Sequence, residues 1–101
     1  MKIKGLLMSI SIANESIEYA KRDVKDYTFL LFDNSAIKTM ASVTVKEIKN
    51  SDIMGIGFKM NSMIEIEGEG EMSGDRFIAK SISVDGATHA LTSNEDSEMP
   101  F

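Results

Sequence analysis

The sequence predicts a small all-β domain, a five-stranded barrel with one short helical connection, followed by an acidic C-terminal tail. Three observations carry that expectation. Apolar and polar residues alternate at period two in several segments. Clusters of turn-forming residues separate those segments. The one proline lies in the tail, at Pro100, so no strand is interrupted by a residue that cannot donate to a ladder.

The elements follow in order. Met8, Ile10 and Ile12 alternate with Ser9, Ser11 and Ala13, which predicts a half-buried first strand within Lys2–Ala13. Ser16–Ala20 is expected to continue it past an irregularity at Asn14. Lys21-Arg22-Asp23-Val24-Lys25-Asp26 reads as a charged turn. Tyr27-Thr28-Phe29-Leu30-Leu31-Phe32 is aromatic-rich and predicts the second strand. Asp33-Asn34-Ser35 turns the chain. Ala41, Val43 and Val45 alternate with Ser42, Thr44 and Lys46 inside a third strand, Ile37–Ile48. Asn50-Ser51-Asp52 offers a helix N-cap, and Gly55 and Gly57 limit the helix to about one turn. Met63–Met72 and Arg76–Val84 form a closing hairpin around Ser73-Gly74-Asp75. Residues 1–85 are thus expected to be the folded domain and residues 86–101 a tail.

Composition narrows the function. The chain has 101 residues and no cysteine, so disulfides and thiolate metal sites are excluded. No apolar run approaches the roughly 20 residues of a membrane span, and the apolar stretch near Met1 is too short for a secretory signal. A cytoplasmic location is expected. The net charge is −5. The segment 86–101 holds three of the sixteen acids and none of the eleven bases, which leaves residues 1–85 at −2. Local patches therefore matter more than the total.

The segment after Leu91 has no apolar periodicity. Its polar and acidic residues cannot offset the entropy of ordering, so disorder is expected there. Yet it ends Glu95-Asp96-Ser97-Glu98-Met99-Pro100-Phe101. Glu95, Asp96, Glu98 and the terminal carboxylate can meet a basic rim. Phe101 can fill an apolar pocket, and Pro100 reduces the entropy lost on docking.

These seven residues resemble the acidic tip of bacterial and phage single-stranded DNA-binding proteins, which ends in acids, an aliphatic residue and Pro-Phe. Ser97 interrupts the acidic run, and Met99 stands where isoleucine or leucine is commoner. The order of three strands, a short helix and a hairpin is similar to the OB-fold, a Greek-key barrel that binds oligonucleotides. The resemblance implies a protein that coats single-stranded DNA with little sequence preference. It also implies that Glu95, Asp96, Glu98, Met99, Pro100 and Phe101 recruit replication, recombination or repair proteins. So short a version would suit a phage or other mobile element. A homodimer or higher assembly is expected, because one barrel offers a small footprint.

Single-strand binding needs aromatic faces for bases and cations for phosphates. The aromatic candidates are Tyr19, Tyr27, Phe29 and Phe32, and the cations nearby are Lys21, Arg22, Lys25, Lys38, Lys46 and Lys49. This assignment takes Leu30 and Phe32 as core, leaving Tyr27 and Phe29 outside. Asp23 and Asp26 interleave with the bases of the charged turn, as in any solvated loop. A protein-interaction adaptor with the same tip, occupying partner pockets without touching DNA, is the alternative.

Other features suggest chemistry less well. Glu65, Glu67, Glu69 and Glu71 form a period-two ridge, but linear spacing cannot wrap a cation. The ridge reads as a solvated strand face that also repels DNA. Gly68, Gly70 and Gly74 lack the spacing and the helix of a dinucleotide loop. His89 has no second His or Cys with which to share a metal, and no nucleophile–base–acid grouping stands out. Neither enzyme activity nor a cofactor is expected.

Overall fold

The first strand is long enough to serve two neighbours, and this organises the fold. The computed structural model describes residues 2–33, 39–70 and 77–91. In it β1 (Lys2–Asn14) pairs antiparallel with β2 (Val24–Phe32) through Leu6–Asn14 and with β4 (Met63–Glu69) through Lys2–Leu6. β2 also pairs with β3 (Met40–Lys49), and β4 with β5 (Ile78–Val84). A further hairpin adds β6 (Ala87–Ala90). The sheet order is β3-β2-β1-β4-β5-β6. Its run β4-β1-β2-β3 is the spatial order of a Greek key. Two short helices complete the fold, α1 (Ile17–Arg22) before β2 and α2 (Asn50–Gly55) before β4.

Bulges bend the strands. Leu7 pairs with Leu31 and Ser9 with Leu30, so Met8 is extra on β1. The shift turns the inward set from Ile3, Gly5 and Leu7 to Ile10, which packs on the core. Met8 and Ile12, expected to share a buried side with Ile10, are 41% and 50% exposed. Gly5 lies tight against β2, since a Cβ there would stand 2.9 Å from Leu31 Cβ. β5 reaches back to β3 through one parallel bridge, Val45 to Phe77, and the Lys46 N–H donates to the Phe77 carbonyl at 2.9 Å. No longer ladder joins β3 to β5 among the described residues. The molecule is mostly β, as expected, but its sheet is not a closed barrel.

The interior is built from the inward faces of these strands. Leu7, Phe29, Leu31, Val43, Val45, Ile48, Ile64, Ile66, Phe77 and Ile82 are almost wholly buried. Here the expected parity of β2 is reversed. Phe29 is fully buried, with its ring 5.6 Å from that of Phe58, and Tyr27 is 9% exposed. Leu30 and Phe32 face outward and are half-buried. β2 is apolar on both faces, so its own period carries no parity. The clear alternation of β3 decides it, because Phe29 pairs with buried Val43 and Tyr27 with buried Val45.

Two more expectations are corrected. Ser16–Ala20 does not continue β1. The Ser16 hydroxyl accepts from the Tyr19 N–H at 3.1 Å, Glu18 sits in the first turn, and Asp23 ends α1 at φ 59. Ile17 and Tyr19 mimic a strand by alternating, but the Ser16 cap wins. Lys21 and Arg22 thus lie on α1, and Val24 already begins β2. The domain also runs past the boundary expected at Asp85. Asp85 and Gly86 take φ 50 and 91, the conformation of a tight hairpin turn, so β6 returns along β5 and Leu91 enters the core. α2 appears where expected, although its N-cap is Lys49 without a side-chain hydrogen bond.

Phe29→Ala should cost about 3–5 kcal/mol of stability, read as a lower urea midpoint at unchanged m-value. A Phe29 on the surface would give less than about 1 kcal/mol.

Candidate nucleic-acid interface

The sequence-nominated side chains fall into two polar clusters and the core. The first cluster surrounds Asp26, a carboxylate only 2% exposed. Between Lys25 and Tyr27 the β2–β3 register shifts, and Glu47 on β3 takes φ 52. That kink turns the Glu47 N–H toward Asp26 Oδ1, to which it donates at 2.7 Å. Lys46 Nζ lies 3.0 Å from Asp26 Oδ2, and the Tyr19 hydroxyl donates to the same oxygen at 3.3 Å. Arg22 closes the cluster from α1. Its Nη1 is 2.7 Å from Glu47 Oε1, and its guanidinium sits 5.4 Å from the Tyr19 ring centre. Burial, followed by the neighbouring Asp26 carboxylate, raises the Tyr19 phenol above its ordinary pKa and keeps it a donor.

The second cluster centres on Asn50. Its side-chain amide donates to Asp23 Oδ1 at 2.7 Å, and its Oδ1 accepts from Lys25 Nζ at 3.3 Å and from the Tyr27 hydroxyl at 3.4 Å. Burial first, then Glu15 and Asp23, raise the Tyr27 phenol. A shallow groove runs beside this cluster, floored by Val24 and Lys25 and edged by Ile17. A second shares Asp23, Lys25 and Asn50 and is edged by Met54.

Tyr19, Arg22 and Lys46 are therefore brought together, but around an internal carboxylate. Lys25 and Tyr27 meet at Asn50, Phe29 is core, and Lys21 is exposed on α1. Lys38 lies outside the described residues, as do Glu95, Asp96, Glu98, Met99, Pro100 and Phe101.

The outward face of β1, β2 and β3 has a different character. Cross-strand rows run Leu6–Phe32–Met40, then Ser9–Leu30–Ser42, then Ser11–Thr28–Thr44. The Thr28 and Thr44 hydroxyls are 3.0 Å apart. Met8 adds an exposed side chain beside the first row, and no acid occupies these three rows. Lys2 and Lys4 continue the same face of β1 toward β4, where Glu65, Glu67 and Glu69 form the acidic ridge. Lys2 Nζ lies 3.6 Å from Glu65, and Lys80 Nζ 2.9 Å from Glu69. The Lys80 hydrogen bond draws the Glu69 carboxyl below its ordinary pKa. Among the described residues no three His, Asp or Glu side chains converge as metal ligands. No described helix is long and apolar enough to cross a membrane.

Sequence reasoning overlooked Asp26 and Asn50 as organisers and placed Phe32 inside. The signal for Asp26 was its place next to an aromatic strand, where a solvated turn was the simpler reading. No family model, curated protein or solved structure matches the chain.

Asp26→Ala should destabilise the protein by about 2–3 kcal/mol, because the Glu47 N–H and Lys46 lose their buried acceptor. Equilibrium denaturation at neutral pH measures it. A change below about 0.5 kcal/mol would place this network in solvent.

Proposed function

We propose that the chain binds single-stranded DNA with little sequence preference and brings replication, recombination or repair proteins to it through Glu95–Phe101. The Greek-key order, with the start of β5 drawn against β3, supports this reading, because such an order is what a partly open OB barrel would need. α2 stands between the third and fourth strands, where the resemblance puts its helix. Oligonucleotides take the face of the second and third strands in such barrels. On this chain that face carries Phe32 as its aromatic, with Leu6, Leu30 and Met40 around it and serine and threonine hydroxyls beyond. Bases stack on the apolar end, and the hydroxyls accept or donate to whatever edge a base presents, which is why sequence matters little. Exposed Lys4 lies on the same face of β1 to meet phosphate, and Lys21 lies exposed on α1. Tyr19, Arg22 and Lys46 act here as a brace, so the stacking role passes from Tyr27 and Phe29 to Phe32.

One observation favours the adaptor reading. Arg22 and Lys46 already have carboxylate partners, which lowers the free positive charge of a body at −2.

Fluorescence anisotropy with labelled oligo-dT separates the two. Binding should appear at low salt, with a log–log salt slope near −0.7 per phosphate neutralised. Phe32→Ala should weaken it by about 1–3 kcal/mol without unfolding the protein. No binding at low salt transfers the chain to the adaptor reading.

The tip has its own test. Deleting Met99-Pro100-Phe101 should leave DNA affinity equal or slightly higher, since an acidic segment competes with phosphate. Capture of replication and repair enzymes from a lysate should fail. Equal capture by both forms would dissociate the tip from recruitment.

A further inference from the structure

The sheet has two ends, and the chain treats them differently. At the β3 end the Lys46 N–H is taken by the Phe77 carbonyl, and Glu47 interrupts the regular strand at φ 52. Such devices protect an edge from pairing with another chain. At the β6 end there is none among the described residues. The Leu91 N–H donates to the Lys80 carbonyl at 2.9 Å, which fixes the alternation of the hairpin. His89 and Ala87 then point their main-chain groups at β5, and Thr88 and Ala90 point theirs outward. Among the described residues nothing satisfies those outward groups. β6 reads Ala-Thr-His-Ala, without acid, lysine, proline or bulge. Thr88 keeps its side chain close to the sheet by pairing its hydroxyl with that of Ser83 at 2.9 Å. Small side chains leave the edge open to a close approach by another strand.

We propose that a second copy of this chain pairs antiparallel along β6 about a two-fold axis through His89. Thr88 then faces Ala90 of the partner subunit, and Ala90 faces the partner's Thr88. About four main-chain hydrogen bonds form, each outward donor meeting an outward acceptor. The join is self-complementary, as a two-fold interface must be. Charge supports the same occupant. β6 carries no acid, so two copies can meet there without bringing like charges face to face. The antiparallel arrangement also turns the Lys80 end of one copy toward the Asp85 end of the other. An interface of four-residue strands is small, so the pairing is weak, and it strengthens when copies share one DNA strand. The two Leu91 residues, from which the tips depart, lie roughly 14 Å apart along the join.

Sedimentation equilibrium of the full chain without nucleic acid, from about 5 µM to 1 mM, tests this apart from any DNA binding. The wild type should rise from one chain toward two. Ala90→Pro removes an outward N–H that the hairpin does not use, and Thr88→Lys puts a charge at the join. Both should stay single throughout, with melting curves at low concentration like that of the wild type. Should Ala90→Pro unfold, Thr88→Lys alone decides. A wild type that stays single at 1 mM overturns the proposal. So does a dimer that survives Thr88→Lys with unchanged affinity.

Discussion

One buried carboxylate sets the geometry on which the rest depends. Asp26 is carried into the interior by a strand whose neighbours on either side belong there, and a charge in that position needs donors on every side. The chain supplies three donors from two elements: a phenol from α1, and from β3 an ammonium and a main-chain N–H at the Glu47 kink. The kink would be costly on its own, because Glu47 is a non-glycine residue at positive φ. Its N–H bond to Asp26 offsets that cost. The kink and the bond are two halves of one arrangement.

That arrangement explains how α1 is held without burying any residue of its own. A six-residue helix is unstable alone. Here its Ser16 cap, the Tyr19–Asp26 bond and the Arg22–Glu47 pair replace an apolar face. The same arrangement meets the seam of the sheet, because Lys46 reaches Asp26 with its side chain and Phe77 with its main chain. The place where β5 approaches β3 is the place where the β2–β3 register shifts.

The parts of the fold that could be read from the sequence are those whose pattern has one solution. Val43 and Val45 against Ser42 and Thr44 admit a single parity, and Ile64 and Ile66 against the glutamates do likewise. β2 has leucine and phenylalanine on both faces, and only its pairing with β3 resolves them. At Ser16-Ile17-Glu18-Tyr19 the alternation of a strand and the cap of a helix share the same residues, and local hydrogen bonding prevails. β6 was hidden by weakness of signal, since four small or polar residues show no period. Its existence follows from Asp85-Gly86, a hairpin turn pair. The grouping of the site residues was hidden for a related reason. Cations near aromatics are what a DNA groove needs, and they are also what a buried acid needs. Composition alone cannot separate the two, whereas the position of Asp26 does.

Once Arg22 and Lys46 are committed to carboxylates, affinity for a polyanion has to come from elsewhere. The outward rows of β1, β2 and β3 offer apolar contact and hydroxyls, with few cations. A surface of that kind holds bases more strongly than phosphates. It would give a shallow salt dependence and a large share of binding from stacking. It also suits a protein with an acidic segment beyond Leu91, because a weakly charged face attracts that segment less than a basic groove would. The near-neutral body and the acidic tip are therefore compatible with one another. On the proposed reading, the charge that argues against nucleic acid at first sight would leave the tip free for other proteins.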